Sequence, residues 1–260
     1  MATTAVENVT AKAEELALEK PVNCENGTEA ADDQTNGKVH EDQKENAGSE
    51  VPKDEVARKE EIAVEVEPKT GVSFPVKLDD GKQLNCVGLR KKSMLGMGIK
   101  VYGFGIYADN EKLKDLLRSK IGEAPAKPTK EMYQVVIDSD AGVTVRMVIV
   151  FSNLTMSMVR KNFDEGLGAS IKKLTGGKKN EDLANKVMGQ ASDDIKLTSG
   201  SVIEISRLPG YTLQTKVMGE VVSKVESELL SRAYVHMYLG DDAFDKDAKD
   251  KFGTSLLSLF

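Results

Sequence analysis

Hydrophobic positions are sparse along the first seventy residues and periodic thereafter, so the pattern itself locates the folded part of the chain. Val72–Leu78 reads as a strand, Asp79-Asp80-Gly81 as a hairpin turn and Leu84–Leu89 as the return strand. A third strand, Ile99–Tyr107, alternates Ile99, Val101, Gly103, Gly105 and Tyr107 against Lys100, Tyr102, Phe104 and Ile106, which puts Tyr102 on one face with Phe104 and Ile106. After Asn110, a fair cap, Leu113, Leu116, Leu117 and Ile121 recur at helical spacing, and Lys127-Pro128 is a break. Glu131–Ile137 fits either helix or strand. Val143–Phe151 is β-branched and nearly continuous, the signature of a strand at the centre of a sheet.

A helix over Thr155–Leu174 places Val159, Phe163, Leu167, Ile171 and Leu174 on one face; Gly176-Gly177-Lys178-Lys179 ends it, and Glu181–Gln190 reads as another helix. Ser201–Arg207 and Tyr211–Met218, joined through Leu208-Pro209-Gly210, predict a second hairpin, with Val221–Val225 as a short extra strand. Helices over Glu226–Leu239 and Lys246–Phe252 complete the order, which suits an antiparallel sheet with helices on one face, an α+β fold.

Charge and composition sharpen the boundary. All thirteen aromatic residues lie from Phe74 onward; residues 1–70 carry 18 acids against 8 bases, net −10, and the remainder 24 acids against 28 bases, net +4. Residues 1–68 lack the apolar side chains that offset ordering entropy and are expected to be a disordered acidic tail, with weak helical patches around Ala11–Lys20 and Asp54–Val66; residues 69–260 form the domain.

The inventory of reactive residues excludes several functions. Cys24 and Cys86 make no disulfide framework, and His40 and His236, with no carboxylate or cysteine at ligand spacing, do not predict a metal. Gly96, Gly98, Gly103 and Gly105 satisfy neither phosphate-loop pattern, and Gly103 and Gly105 are better read as a strand face that a helix or ligand approaches closely. The clusters Arg90-Lys91-Lys92 and Lys172, Lys173, Lys178, Lys179 accompany no nucleic-acid motif and a domain of net charge only about +4. No stretch approaches the ~20 apolar residues of a membrane span, the N-terminus lacks the basic-then-apolar pattern of a secretory signal, and Glu7, Glu14, Glu15 and Glu19 make it a poor transit peptide. No cofactor is called for.

The segment GLRKKSMLGMGIKVYGFGIYAD, Gly88–Asp109, carries the candidate chemistry. On its residues alone, Arg90 is either one of three solvated charges at a strand end or, with Tyr102, half of an anion site, since a guanidinium fork binds a carboxylate bidentately and stays charged.

That segment, with EPKTGVSFP and LLSRAYVHMYLGDDAFDKDAKDKF, resembles the chalcone isomerase family, over roughly residues 67–260, and more narrowly its noncatalytic plant branch of fatty-acid-binding proteins. The resemblance implies an open-faced β-sandwich: a large antiparallel sheet covered by a helical layer, with a ligand cleft between. It implies a fatty acid or related apolar carboxylate as ligand, held at the carboxylate by Arg90 and Tyr102. Catalytic members use an arginine, a threonine, a tyrosine and an asparagine, whose positions fall here at Arg90, Tyr102, Thr155 and Asn162; with Tyr102 intruding and a threonine at the tyrosine position, no catalytic residue is expected. On residues alone Thr155 serves equally as a helix cap and Asn162 as part of a solvated face. The alternatives are a chalcone isomerase and a helper protein of flavonoid synthesis. Met94, Met97, Met147, Met156, Met158 and Met218 either line an adaptable cleft or pack as ordinary core. The resemblance places the protein in the plastid stroma, whereas the unsuitable N-terminus leaves the cytosol open; whether it has a protein partner is unknown from the sequence.

Overall fold

Short β-branched pairs start the fold earlier than residue 69. The structure, a computed structural model, describes residues 63–94, 97–152, 154–178, 186–189 and 195–260. Strand β1, Val64–Val66, pairs antiparallel with β2, Ser73–Pro75. The end of the expected Asp54–Val66 helical patch is therefore a strand, and the ordered chain extends N-terminal to the expected boundary; the rest of that patch, the one at Ala11–Lys20, Cys24 and His40 lie outside the described residues.

The turn at Asp79-Asp80-Gly81 forms, with Gly81 at φ 87° and Leu78 N–H donating to Lys82 O at 2.9 Å. Only the Lys77–Gln83 bridge continues the expected hairpin, because β2 spends its pairing on β1.

The main sheet starts with β3, Gln83–Met94, and β4, Met97–Ala108. It continues with β5, Val143–Ile149, whose run of buried residues puts it between β4 and the later strands. A short β6, Leu154–Thr155, pairs with β7, Lys196–Leu197, outside this sheet. Strands β8, Val202–Leu208, β9, Thr212–Val217, and β10, Glu220–Glu226, complete six antiparallel strands in the order β10-β9-β8-β5-β4-β3. Strand β10 runs through Glu226, so the residues expected to open a helix there are extended.

Five described helices accompany the strands. Helix α1, Asn110–Lys120, is capped by Asp109, whose carboxylate accepts from Lys112 N–H at 3.0 Å; the aspartate, an ionised acceptor, takes the cap expected of Asn110. The ambiguous stretch is a helix, α2, Lys130–Asp138, capped by Thr129 and burying Met132, Tyr133, Val136 and Ile137. Helix α3 spans Met156–Leu174, α4 spans Glu228–Leu239 behind its Ser227 cap, and α5 spans Lys246–Leu257, a turn longer than the hydrophobic pattern predicted. The expected helix over Glu181–Gln190 lies mostly outside the described residues; Lys186–Gly189 form turns and bends.

Apolar residues of β4, β5, β8 and β9 meet α1 to α5 in one core that includes Ile106, Val145, Ile203, Leu167 and Phe252. The opposite face carries cross-strand polar pairs, Thr144 with Ser206 at 2.8 Å and Arg146 with Glu204 at 2.5 Å. Over β4 that face is closed by the first hairpin: a Cβ at Gly105 would sit 3.0 Å from Phe74, whose side chain is fully buried. The close approach read from Gly103 and Gly105 is thus made by the chain's own β1–β2 segment, rather than by a helix or ligand.

Arg207 shows what a structural arginine looks like in this fold. It is completely buried on β8 and donates Nε to Ala141 O at 2.8 Å, Nη1 to Ile137 O at 3.1 Å and Nη2 to Val136 O at 2.9 Å, fastening the C-terminal end of α2 to the sheet. Burial pulls its pKa down to about 10, which leaves it charged at neutral pH. Arg207→Met strands these carbonyls in the interior; a loss of about 3 kcal/mol or more is expected, read as a drop in melting temperature of roughly 6 °C or more. A variant melting within about 2 °C of the wild type would show that water replaces the guanidinium at no cost.

Candidate functional site

Strand pairing alone brings the two candidate residues together. Arg90 on β3 lies directly opposite Tyr102 on β4, so their side chains leave the same face of the sheet. Beyond this pair the register shifts: Lys91 faces Lys100, and Val101 is the extra residue on β4. This bulge breaks the strict alternation expected for Ile99–Tyr107 and lets successive residues, Val101 and Tyr102, both line the same cleft.

The cleft lies between this face and α3. It is narrow, a cavity of about 40 Å³ lined by Met147, Ile149 and Ile203 from the sheet, Leu154, Val159 and Phe163 from β6 and α3, and Phe244 from the link between α4 and α5. Its polar lining is Arg90, Lys92, Tyr102 and Asn162.

Phe244 is positioned by its neighbour. Asp245 caps α5 through Ala248 N–H at 3.2 Å and accepts Leu89 N–H of β3 at 2.9 Å, so the link is pinned beside Arg90. Gly166 of α3 makes room for the ring, since a Cβ there would fall 2.6 Å from Phe244 Cζ. The Arg90 Cζ then lies 3.7 Å from the Phe244 centroid, a cation–π stack. Arg90 makes no hydrogen bond or ion pair to any described residue.

Behind the pair runs an aromatic chain. The Tyr102 hydroxyl is 3.4 Å from that of Tyr238, which also lies 3.8 Å from Met147 Sδ; the Tyr238 ring packs edge-on against Phe104, Tyr234 and Phe244 at 5.2, 5.6 and 5.4 Å. Burial pushes the Tyr102 phenol above its ordinary pKa, outweighing the Tyr238 hydrogen bond and the Arg90 charge, which act in the opposite sense. The phenol is therefore a neutral O–H donor at physiological pH.

The other two isomerase positions are otherwise engaged. Thr155 is exposed, and its hydroxyl caps α3 by accepting Met158 N–H at 3.2 Å; it does not line the cleft. Asn162 does line it, but its amide nitrogen donates to Met158 O at 2.7 Å and its oxygen accepts from Lys92 Nζ. Lys92, read from the sequence as one of a solvated cluster, is thus a cleft residue; its spacing of two from Arg90 on one strand is the signal that places both on one face. Tyr238 and Phe244 carried no such signal, because only the packing of α4 against the sheet brings them here. Of the methionines, Met147 lines the cleft, Met156 is core, Met158 is half-buried, and Met97 and Met218 are exposed; the Met94 side chain is outside the described residues.

The sequence profile of chalcone isomerase-like proteins matches residues 69–252. The chain belongs to the chalcone isomerase-like family. It is 66% identical over 200 residues to chalcone isomerase-like protein 1 of Humulus lupulus, covering 76% of this chain and 94% of that protein. To fatty-acid-binding protein 1 of Arabidopsis thaliana it is 37% identical over 198 residues, covering 75% and 71% respectively. The crystal structure of an Arabidopsis fatty-acid-binding protein superimposes with a TM-score of 0.70 at 36% identity, over 76% of this chain and 98% of that one. The α+β architecture of one large antiparallel sheet under a helical layer is accordingly the family's fold.

A raised folded pKa means that the neutral phenol is favoured in the native state, so the contribution of Tyr102 is fully present below its unfolded pKa near 10 and is lost as pH rises beyond it. Phenolate absorbance should show this directly. Tyr102→Phe is expected to remove an absorbance increment that appears at higher pH than that of an exposed tyrosine, and loss of an increment centred at the ordinary tyrosine value of about 10 would show that Tyr102 ionises like a surface tyrosine.

Proposed function

We propose that this protein binds a fatty acid, with the carboxylate on Arg90 and Tyr102 and the acyl chain in the apolar cleft, and that it serves plant fatty-acid metabolism as a carrier. The observation that carries this reading is the guanidinium of Arg90: it faces an apolar cleft, stacks on Phe244 and has no anionic partner among the described residues. A charge so placed is costly to leave unmatched, and a carboxylate is the planar anion its fork accepts. The Tyr102 hydroxyl supplies a neutral donor beside it. The fatty-acid-binding relatives support the same ligand class.

Chalcone cyclisation fits less well. It needs donors directed at the developing enolate, whereas the Thr155 hydroxyl is an exposed helix cap and the Asn162 oxygen is occupied by Lys92.

Magnitudes decide the form of the test. Burying about fourteen methylenes contributes roughly 11 kcal/mol gross at ~0.8 each, against ~1.5–3 kcal/mol for a hydrogen bond to a charged group. The chain supplies most of the affinity, and Arg90 selects the acid. Replacing Arg90 with Ala should weaken a long-chain fatty acid about 10- to 100-fold and its methyl ester much less, as measured by calorimetry on the delipidated protein. Equal losses for acid and ester would assign Arg90 a structural role, and unchanged binding of both would return it to the solvated surface.

A further inference from the structure

A second cation lies in the cleft, and it is bonded differently from the first. Lys92 follows Arg90 by two residues on the same face of β3, about 7 Å along the strand. Its Nζ donates to Asn162 Oδ1 and lies 3.4 Å from Glu165 Oε2, both on α3, the element facing β3 across the cleft. Asn162 is held for this contact, because its amide nitrogen is spent on Met158 O one turn back along its own helix. The Lys92 and Glu165 side chains are 38% and 58% exposed, which puts the link at the solvent end of the cleft.

We propose that Lys92, tied to Asn162, is a width-selecting strap: it spans the cleft beside the carboxylate position and admits a slender methylene chain while rejecting a ring joined directly to the carboxyl group. Among the described residues Arg90 has no hydrogen-bond or ion-pair partner, whereas Lys92 has two, so the role of Lys92 is steric closure rather than a second contact to the ligand's charge. This inference rests on the fatty-acid reading above.

The test compares two acids of equal carbon number, palmitate and para-nonylbenzoate, which carries its ring next to the carboxylate. Dissociation constants are measured on the delipidated full chain for the wild type, Lys92→Met, Asn162→Leu and the double variant, with melting curves to confirm folding. Opening the strap from either side should shift the ratio of the two constants about 10-fold toward the aryl acid. The double variant should shift it no further than either single one, because all three remove the same link, and Lys92→Arg should keep the wild-type ratio. An unchanged ratio in the folded single variants overturns the strap, as do equal losses for both acids, which would make Lys92 a second headgroup cation, and single effects that add in the double variant. If the wild-type chain binds neither acid, the fatty-acid reading itself fails and this inference with it; if it binds both, that reading stands whatever the ratio does.

Discussion

A guanidinium directed at an apolar cleft, with no carboxylate partner among the described residues, is the constraint around which this side of the fold is built. Such a group keeps its charge, so it has to be held by contacts that do not neutralise it. The ladder between β3 and β4 fixes its backbone opposite Tyr102, and the Phe244 ring carries its flat face. Phe244 in turn needs the gap at Gly166 and the hold of Asp245 on Leu89 N–H, which ties the α4–α5 link to the edge of the sheet. Helix packing, a glycine and one carboxylate thus converge on keeping Arg90 oriented and unpaired.

Two arginines on one sheet make the contrast plain. Arg207 has as many carbonyl acceptors as it presents nitrogens and no access to solvent, which makes it a fastener. Arg90 has an aromatic platform and an open fork. Both residues stand at the end of apolar strand residues, Arg90 ahead of Lys91 and Lys92 and Arg207 in an alternating strand, and neither pattern states what the guanidinium meets. Their difference comes from what the helices bring: main-chain carbonyls at the end of α2 in one case, and the ring of Phe244 in the other.

Legibility followed the range of the interaction. Strands and helices with a full apolar period, such as Val143–Ile149 and Met156–Leu174, were readable because burial on one face dictates the period. The stretch Lys130–Asp138 was not, since so short a run of apolar residues satisfies both periods until Thr129 caps it and its face meets the core. Strand β1 was masked by its acidic surroundings: its own side chains are exposed, and it exists through pairing with the strand whose Phe74 is buried. In the site, Arg90 and Tyr102 could be named from motif resemblance, whereas the bulge at Val101 could not, because a one-residue slip depends on the pairing of two strands.

The same cleft geometry bears on how one fold accommodates both binding and catalysis. An isomerising site needs polar groups that are oriented yet uncommitted, so that they strengthen their bonds only as charge develops on the reacting atoms. Here Asn162, which faces the cleft from α3, is already paired with Lys92 and with Met158 O, and the hydroxyl of Thr155, outside the cleft at the helix start, is paired with Met158 N–H. Of these bonds, the one from Lys92 to Asn162 crosses from the sheet to α3. On the sheet side stand the Arg90 guanidinium, with no hydrogen-bond or ion-pair partner among the described residues, and the neutral Tyr102 phenol, the arrangement on which the fatty-acid proposal rests. If the fatty-acid proposal holds, what sets this cleft apart from a catalytic one is where hydrogen-bonding capacity has already been spent: on the bond between Lys92 and Asn162 and on the cap at Thr155.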